Sequence, residues 1–204
     1  MLAINNPMMS SAVGYLSMYV GPMYSGKTSK ILDLYKQFQF CNVKTAVINF
    51  GEDTRYSETM LSTHDKTMIE CIMCKTLTEE FPIGTTAGNA KLANIDVFLI
   101  NEGQFFPDIV EWVKTAISSP YNKRVYICGL DGDFQRNPFG NWLDLIAHSD
   151  EVHKLTSICH TCRNKPAIFS HRITNETQQK VIGSDAYIPL CRGCYENVNI
   201  EDEP

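Results

Sequence analysis

The stretch GPMYSGKT at residues 21–28 constrains this chain more than any other. It fits G-x-x-x-x-G-K-[ST], a P-loop whose backbone N–H groups converge on phosphate oxygens. That chemistry needs a buried strand before the loop and a helix after it, and the sequence offers both. YLSMYV (15–20) reads as a short buried strand, and SKILDLYKQFQF (29–40) repeats Ile31, Leu34, Tyr35 and Phe38 at helical spacing. Gly21 and Gly26 let the backbone close on phosphate, Lys27 brings positive charge, and Thr28 offers a hydroxyl to magnesium. The helix start adds the positive end of its dipole. The chain reads as a binder of a nucleoside triphosphate.

KTAVINF (44–50), VFLI (97–100) and RVYICGL (124–130) read as further strands, and PDIVEWVKTAI (107–117) as a helix with proline in its first turn. Strands alternating with helices predict an α/β domain with a mainly parallel sheet. A hydrophobic content of 44% is enough for a real core. From about residue 158 this texture gives way to polar loops punctuated by cysteine pairs.

A formal net charge of −5 gives no global attraction to nucleic acid. The N-terminal MLAINNPMMSSAVG has neither a basic segment nor a long apolar core, so no signal peptide is expected. No apolar run approaches the roughly 18 residues of a membrane span. A soluble, cytoplasmic protein is the expectation, and its eight cysteines then need a role other than a secreted disulfide framework. Cys41 and Cys128 stand alone and read as small core residues. The other six form three C-x-x-C pairs: Cys71/Cys74, Cys159/Cys162 and Cys191/Cys194.

Among nucleotide-binding classes, a GTPase should carry N-K-x-D, but Asn122-Lys123-Arg124-Val125 lacks the aspartate. A helicase or motor is normally longer and more basic. A small-molecule kinase remains, and it needs a base for the attacking hydroxyl. Glu102, in VFLINEGQFF (97–106), lies just past a buried strand, at the edge where parallel sheets bind ligands. There it can accept the hydroxyl proton while the P-loop holds the donor in line. The alternative is a capping or solvated glutamate.

GPMYSGKT, EDTRYSETMLSTHD (52–65), NEGQFFPDIVEW (101–112), LDGDFQRNPFG (130–140), KLTSICHTC (154–162) and SDAYIPLCRGCY (184–195) together resemble the zinc-containing P-loop thymidine kinases, in that family's order. The resemblance spans about residues 15–196. It implies a RecA-like sheet with a small zinc-stapled lasso domain, and ATP-dependent phosphorylation of the thymidine 5′-hydroxyl in deoxynucleotide salvage. It also implies a homotetramer inhibited by the end-product triphosphate. The expected organisation is a poorly ordered segment at 1–12, a nucleotide-binding domain at 13–157, a zinc and nucleoside-binding domain at 158–198, and an acidic tail at 199–204.

Residue by residue, the resemblance makes Glu102 the catalytic base and Arg55 a stabiliser of the transferring phosphoryl charge. It groups Gly21, Met23, Ser25, Gly26, Lys27, Thr28, Asp53, Asn101 and Gln104 around ATP and Mg²⁺. Leu130, Phe134 and Phe139 would surround thymine, Met23 would cap it, and Tyr187 would reach the deoxyribose. Backbone groups of Val181, Ile182 and Gly183 would read the base edge from the lasso. Arg136 is an alternative to Arg55, or a partner of Asp131 or Asp133, and His64 reads equally well as a loop histidine.

Cys159-x-x-Cys162 and Cys191-x-x-Cys194 are 28 residues apart, and two such knuckles can hold zinc tetrahedrally as a closed, structural site. Cys71 and Cys74 lie outside the matching stretch and read as core or near-surface thiols.

Two positions depart from the family pattern. The family reads DEGQFF, and here Asn101 replaces the aspartate, so weaker magnesium binding is expected because a negative charge is gone. In AIFSHR (167–172), either Phe169 crowds the thymine methyl or Ser170 occupies the small hydroxyl position. The rival readings are a kinase of another deoxynucleoside, a zinc-ribbon nucleic-acid ATPase, and a nucleotide sensor impaired by Asn101.

Overall fold

The computed structural model describes residues 13–51, 60–62, 68–179 and 186–200. In chain order, β1 (Tyr15–Val20) leads into α1 (Lys27–Phe40) and β2 (Thr45–Phe50). A hairpin of β3 (Met60–Ser62) and β4 (Met68–Glu70) precedes β5 (Ile72–Cys74), α2 (Leu77–Glu80) and α3 (Thr86–Ala93). Then come β6 (Val97–Ile100), a 3₁₀ turn (Gly103–Phe105), α4 (Ile109–Ile117), β7 (Arg124–Gly129), a second 3₁₀ stretch (Trp142–His148) and β8 (Glu151–Lys154). The remainder holds β9 (Ser157–Ile158), β10 (Pro166–Ala167), β11 (Phe169–Arg172), β12 (Tyr187–Leu190) and α5 (Arg192–Ile200).

The main sheet has the order β5-β2-β6-β7-β1-β8, and every neighbouring pair is parallel. Its central strands are apolar because both faces are covered. On one face Met18, Ile100 and Ile127 pack with Trp112 and Val113 of α4. On the other, Leu99 and Cys128 pack with Ile31, Leu34 and Phe38 of α1. Each such buried side chain contributes about 1.5–3 kcal/mol of transfer free energy. Parallelism has a functional consequence: β1, β6 and β7 all end at one edge, so the loops that follow them meet there.

The central strands match the sequence expectation, with shifts at some ends. Helix α1 already includes Lys27 and Thr28, and α4 starts at Ile109, after Pro107 rather than on it. Asp108 is drawn instead to α2, its carboxylate accepting from Leu77 N at 3.1 Å and Thr78 N at 2.7 Å. Helix α5 runs to Ile200, two residues into the expected tail. Cys128 is fully buried, but Cys41 is exposed. It follows the last turn of α1, where its N–H closes the helix onto Gln37 O at 3.2 Å and its side chain faces solvent. Among the described residues, no helix is long and apolar enough to cross a membrane.

Candidate active site and cysteine cluster

The loop between β1 and α1 is held by its own polar groups. Gly21 N donates to Gly129 O at 3.3 Å, tying the loop's root to β7. Gly26 adopts φ 82°, a left-handed conformation that glycine enters without steric cost, and from there its carbonyl accepts Lys30 N at 3.0 Å. Ser25 Oγ donates to Pro22 O at 2.8 Å. The Lys27 ammonium lies over the loop, 2.6 Å from the same carbonyl. Thr28 is half-buried in the first turn of α1, beside the amino end of the helix dipole. Met23 N donates to Ser170 Oγ on β11 at 2.9 Å, so the glycine loop and the cysteine-rich region are directly bonded.

β6 delivers Asn101 and Glu102 to the same edge. Asn101 is buried, and its Nδ2 donates to Oδ1 of Asn49 on β2 at 3.0 Å. Glu102 turns the chain with φ 56°, a left-handed conformation unusual for a glutamate, which makes the position a functional candidate. Its Oε2 accepts from Gln104 Nε2 at 2.6 Å. The loop after β7 lies alongside: Leu130 N donates to Gln104 Oε1 at 2.9 Å, and Leu130 O accepts from Trp142 Nε1 at 2.9 Å. Phe139 is buried edge-on against Phe105, with ring centroids 5.4 Å apart.

Asp133 builds the turn before Phe139, with Oδ1 accepting from Gln135 N and Asn137 N at 2.9 and 2.8 Å. Its Oδ2 accepts from Gln179 Nε2 at 2.8 Å. Arg136 therefore meets Asp133 only through the backbone, its N donating to Asp133 O at 3.1 Å, and Asp131 pairs with Lys154. Arg136 lies over the rings of Tyr195 and Phe169, 4.0 Å from the Glu196 carboxylate. Phe169 packs on Tyr195, with centroids 5.1 Å apart, while its neighbour Ser170 points to the glycine loop. Of the two alternatives at this strand, the hydroxyl is the one that reaches the site.

Sequence reasoning missed Arg172. It is 5% exposed, and all five guanidinium N–H positions find acceptors. Nη1 donates to Glu176 O and Gln178 O at 2.7 and 2.5 Å, and Nη2 to Gln179 O at 3.1 Å. Nε and Nη2 share the Tyr187 hydroxyl, at 3.2 and 2.5 Å. The guanidinium also lies 3.8 Å from the centroid of Phe134. Phe134 and Tyr187 thus meet through an arginine that no motif marks. Neutral acceptors on every donor are what allow this charge to be buried.

Cys159 and Cys162 come from the β9–β10 turn, and Cys191 and Cys194 from the junction of β12 with α5. Their Sγ atoms all lie within 4.8 Å of one another, the one such group of three or more His, Cys, Asp or Glu among the described residues. Zinc–sulfur bonds of about 2.3 Å in a tetrahedron place sulfurs about 3.8 Å apart. Cys162 and Cys191 stand at 3.9 Å, so the donor set fits zinc. Burial raises the Cys159 thiol, yet N–H groups of Cys191, Cys162 and Thr161 outweigh it and hold the group below its ordinary value. The neighbouring sulfurs push the Cys194 thiol up. The thiolate is the form a metal binds. Cys71 and Cys74 do not join this cluster. They belong to the apolar packing on opposite faces of the main sheet.

Asp53, Arg55, His64, Val181, Ile182 and Gly183, with the segment 1–12 and residues 201–204, lie outside the described residues.

Comparison with known proteins agrees with this arrangement. The thymidine kinase family model matches residues 14–195. Thymidine kinase 1 of Dictyostelium discoideum is 38% identical over 189 residues, covering 90% of this chain and 78% of the relative. The thymidine kinase of Yaba monkey tumor virus is 38% identical over 192 residues, covering 94% and 99%. That of Variola virus is 38% identical over 183 residues, covering 89% and 97%. With the glycine loop, the strand-end glutamate and the four-cysteine cluster all inside the matched region, the chain belongs to the thymidine kinase family.

Proposed function

We propose that this chain transfers the γ-phosphoryl group of ATP to the 5′-hydroxyl of thymidine, with Glu102 as the base. The observation that carries the reading is the shared sheet edge of Glu102 and the Gly21–Thr28 loop, two strand positions apart. Two strand spacings are about 10 Å, room for a terminal phosphoryl group and an attacking hydroxyl between them. In the reaction the 5′-oxygen forms a bond to Pγ as the bond from Pγ to the β,γ-bridging oxygen breaks. The hydroxyl proton passes to the Glu102 carboxylate, and ADP leaves with the bond's electrons. Lys27 exchanges its contact with Pro22 O for the terminal phosphates, where its charge opposes the charge that develops. Arg55 and Asp53 assist from the family resemblance alone.

Magnesium would be held by the Thr28 hydroxyl and the Asn101 side chain, and would neutralise phosphate charge. Asn101 fits as a neutral ligand: its Nδ2 is spent on Asn49, which leaves Oδ1 as the acceptor. A four-sulfur zinc site is closed, so its role is to staple the nucleoside-binding region. Leu130, Phe134, Phe139, Tyr187 and residues 181–183 form the thymidine side of the reading. Phe169 is absorbed by Tyr195, so its bulk is no argument against thymine. The homotetramer and inhibition by the end-product triphosphate belong to the same reading. The test is the initial rate with ATP and Mg²⁺ on four deoxynucleosides. Preference for thymidine supports it. Equal rates on all four transfer the reading to a broader deoxynucleoside kinase, and no turnover leaves a nucleotide sensor.

A further inference from the structure

Gln104 is buried at 5% exposure, and both ends of its amide are committed within the protein. Its Oε1 accepts from Leu130 N, which fixes the amide's orientation, because only the oxygen can accept from an N–H. The NH₂ end is therefore the one that faces Glu102, donating to Oε2 at 2.6 Å. A donor there restricts the rotation of the carboxylate. The surroundings are shaped for this contact. A Cβ at Gly129 would stand 2.6 Å from Gln104 Oε1 and 2.7 Å from Cζ2 of Trp142, so the strand end must be glycine for both side chains to fit. Trp142 in turn holds the Leu130 carbonyl. Family resemblance groups Gln104 with the nucleotide contacts, but reaching a nucleotide would cost one of these two bonds.

We infer that Gln104 is a positioning residue, which aims the Glu102 carboxylate and ties it to the backbone of Leu130. The inference rests on the proposed role of Glu102 as base. Through Leu130 N, the base is joined to the loop that carries Leu130, Phe134 and Phe139. The geometry of the base and the geometry of the nucleoside side are then set by one amide.

Two variants separate the two ends. Gln104→Met keeps the length and loses both hydrogen bonds. Gln104→Glu keeps an acceptor for Leu130 N and sets a second carboxylate against Glu102. Both are expected to lower kcat about 10- to 100-fold with the KM for ATP within about twofold of wild type. The KM for thymidine also stays within about twofold in Gln104→Glu, which keeps the bond from Leu130 N, and rises in Gln104→Met, which loses it. In a Glu102→Gln background, Gln104→Glu is expected to reduce the residual rate no further, since residues acting as a unit are not additive. Thermal unfolding is measured beside the kinetics, and if Gln104→Met fails to fold, Gln104→Glu decides. A Gln104→Glu enzyme with the wild-type kcat, a loss confined to KM, or losses that multiply in the double variant would overturn the positioning role. A Glu102→Gln enzyme that keeps the wild-type rate overturns the base assignment and the positioning role together. An inactive Glu102→Gln beside a fully active Gln104→Glu overturns only the second.

Discussion

Asn101 and Asn49 meet across β6 and β2, amide to amide at 3.0 Å, with each side chain only 3% exposed. Neither carries charge, at a place where the family pattern has an aspartate. Asn101→Asp restores one. A charge pair at about 4 Å is worth on the order of 4 kcal/mol at an effective dielectric of 20, but burying the carboxylate offsets most of it. Asn49 can turn its amide to donate, so the new group is not left unpaired. The magnesium concentration giving half-maximal rate should fall about fivefold, a net gain of ~1 kcal/mol. A magnesium titration at fixed ATP reads this directly, and an unchanged midpoint contradicts the assignment of Asn101 to the metal.

Arg172 is expected to be the most sensitive position of β11. Arg172→Met strips five donors from three carbonyls and the Tyr187 hydroxyl. Leaving such groups unsatisfied costs about 1–3 kcal/mol each where water cannot replace the donor, so a total near 3 kcal/mol or more is expected. Arg172→Lys should not restore it, because one ammonium offers three donors from a single point. Urea midpoints of the three proteins measure the difference. A loss below about 1 kcal/mol in Arg172→Met would show that the network is dispensable.

That arginine also marks where the sequence stops being legible. β1, β2, β6 and β7 could be read because strands covered on both faces are apolar runs, whereas β8 (EVHK) is mostly exposed and reads as loop. β5 is only three residues long, and α3 buries just Gly88 and Leu92, too little for a periodic signal. The glycine loop and the cysteine knuckles were visible because their residues are consecutive or closely spaced. Asn49 lies 52 residues from Asn101, and Ser170 lies 147 from Met23, so only folding brings them together. Arg172 was invisible for a further reason: most of its partners are backbone carbonyls, which carry no sequence identity.

The cysteine cluster should contain zinc. Wild-type protein is expected to hold about one ion per chain, and Cys191→Ser almost none, because three sulfurs and a hydroxyl no longer suit it. The variant should also lose thymidine affinity before ATP affinity, since the glycine loop belongs to the larger sheet. Metal analysis with paired KM values checks both. Metal-free wild type with full stability would contradict the staple.

Cys71 and Cys74 should be inert despite their C-x-x-C spacing. On opposite faces of the sheet, they cannot join as a disulfide without breaking β5. Burial, and then the charges of Glu80, Asp108 and Glu79, push the Cys74 thiol up to about 12. Its reactive thiolate is therefore scarce at neutral pH and appears only in strong alkali. Native alkylation at pH 8 should label exposed Cys41 first, and the Cys71→Ser/Cys74→Ser double variant should keep activity within about twofold of wild type, as for substitutions outside the site. Rapid labelling of Cys74 at pH 8 would refute this.

The most direct test of the central claim is the rate of phosphoryl transfer to thymidine by Glu102→Gln. An amide keeps the size of the side chain but cannot take the proton of the 5′-hydroxyl. The account predicts a fall in kcat of about 10²- to 10⁴-fold, with the KM for ATP nearly unchanged. A variant that turns over at the wild-type rate would contradict it, and the glutamate at the end of β6 would not be the base.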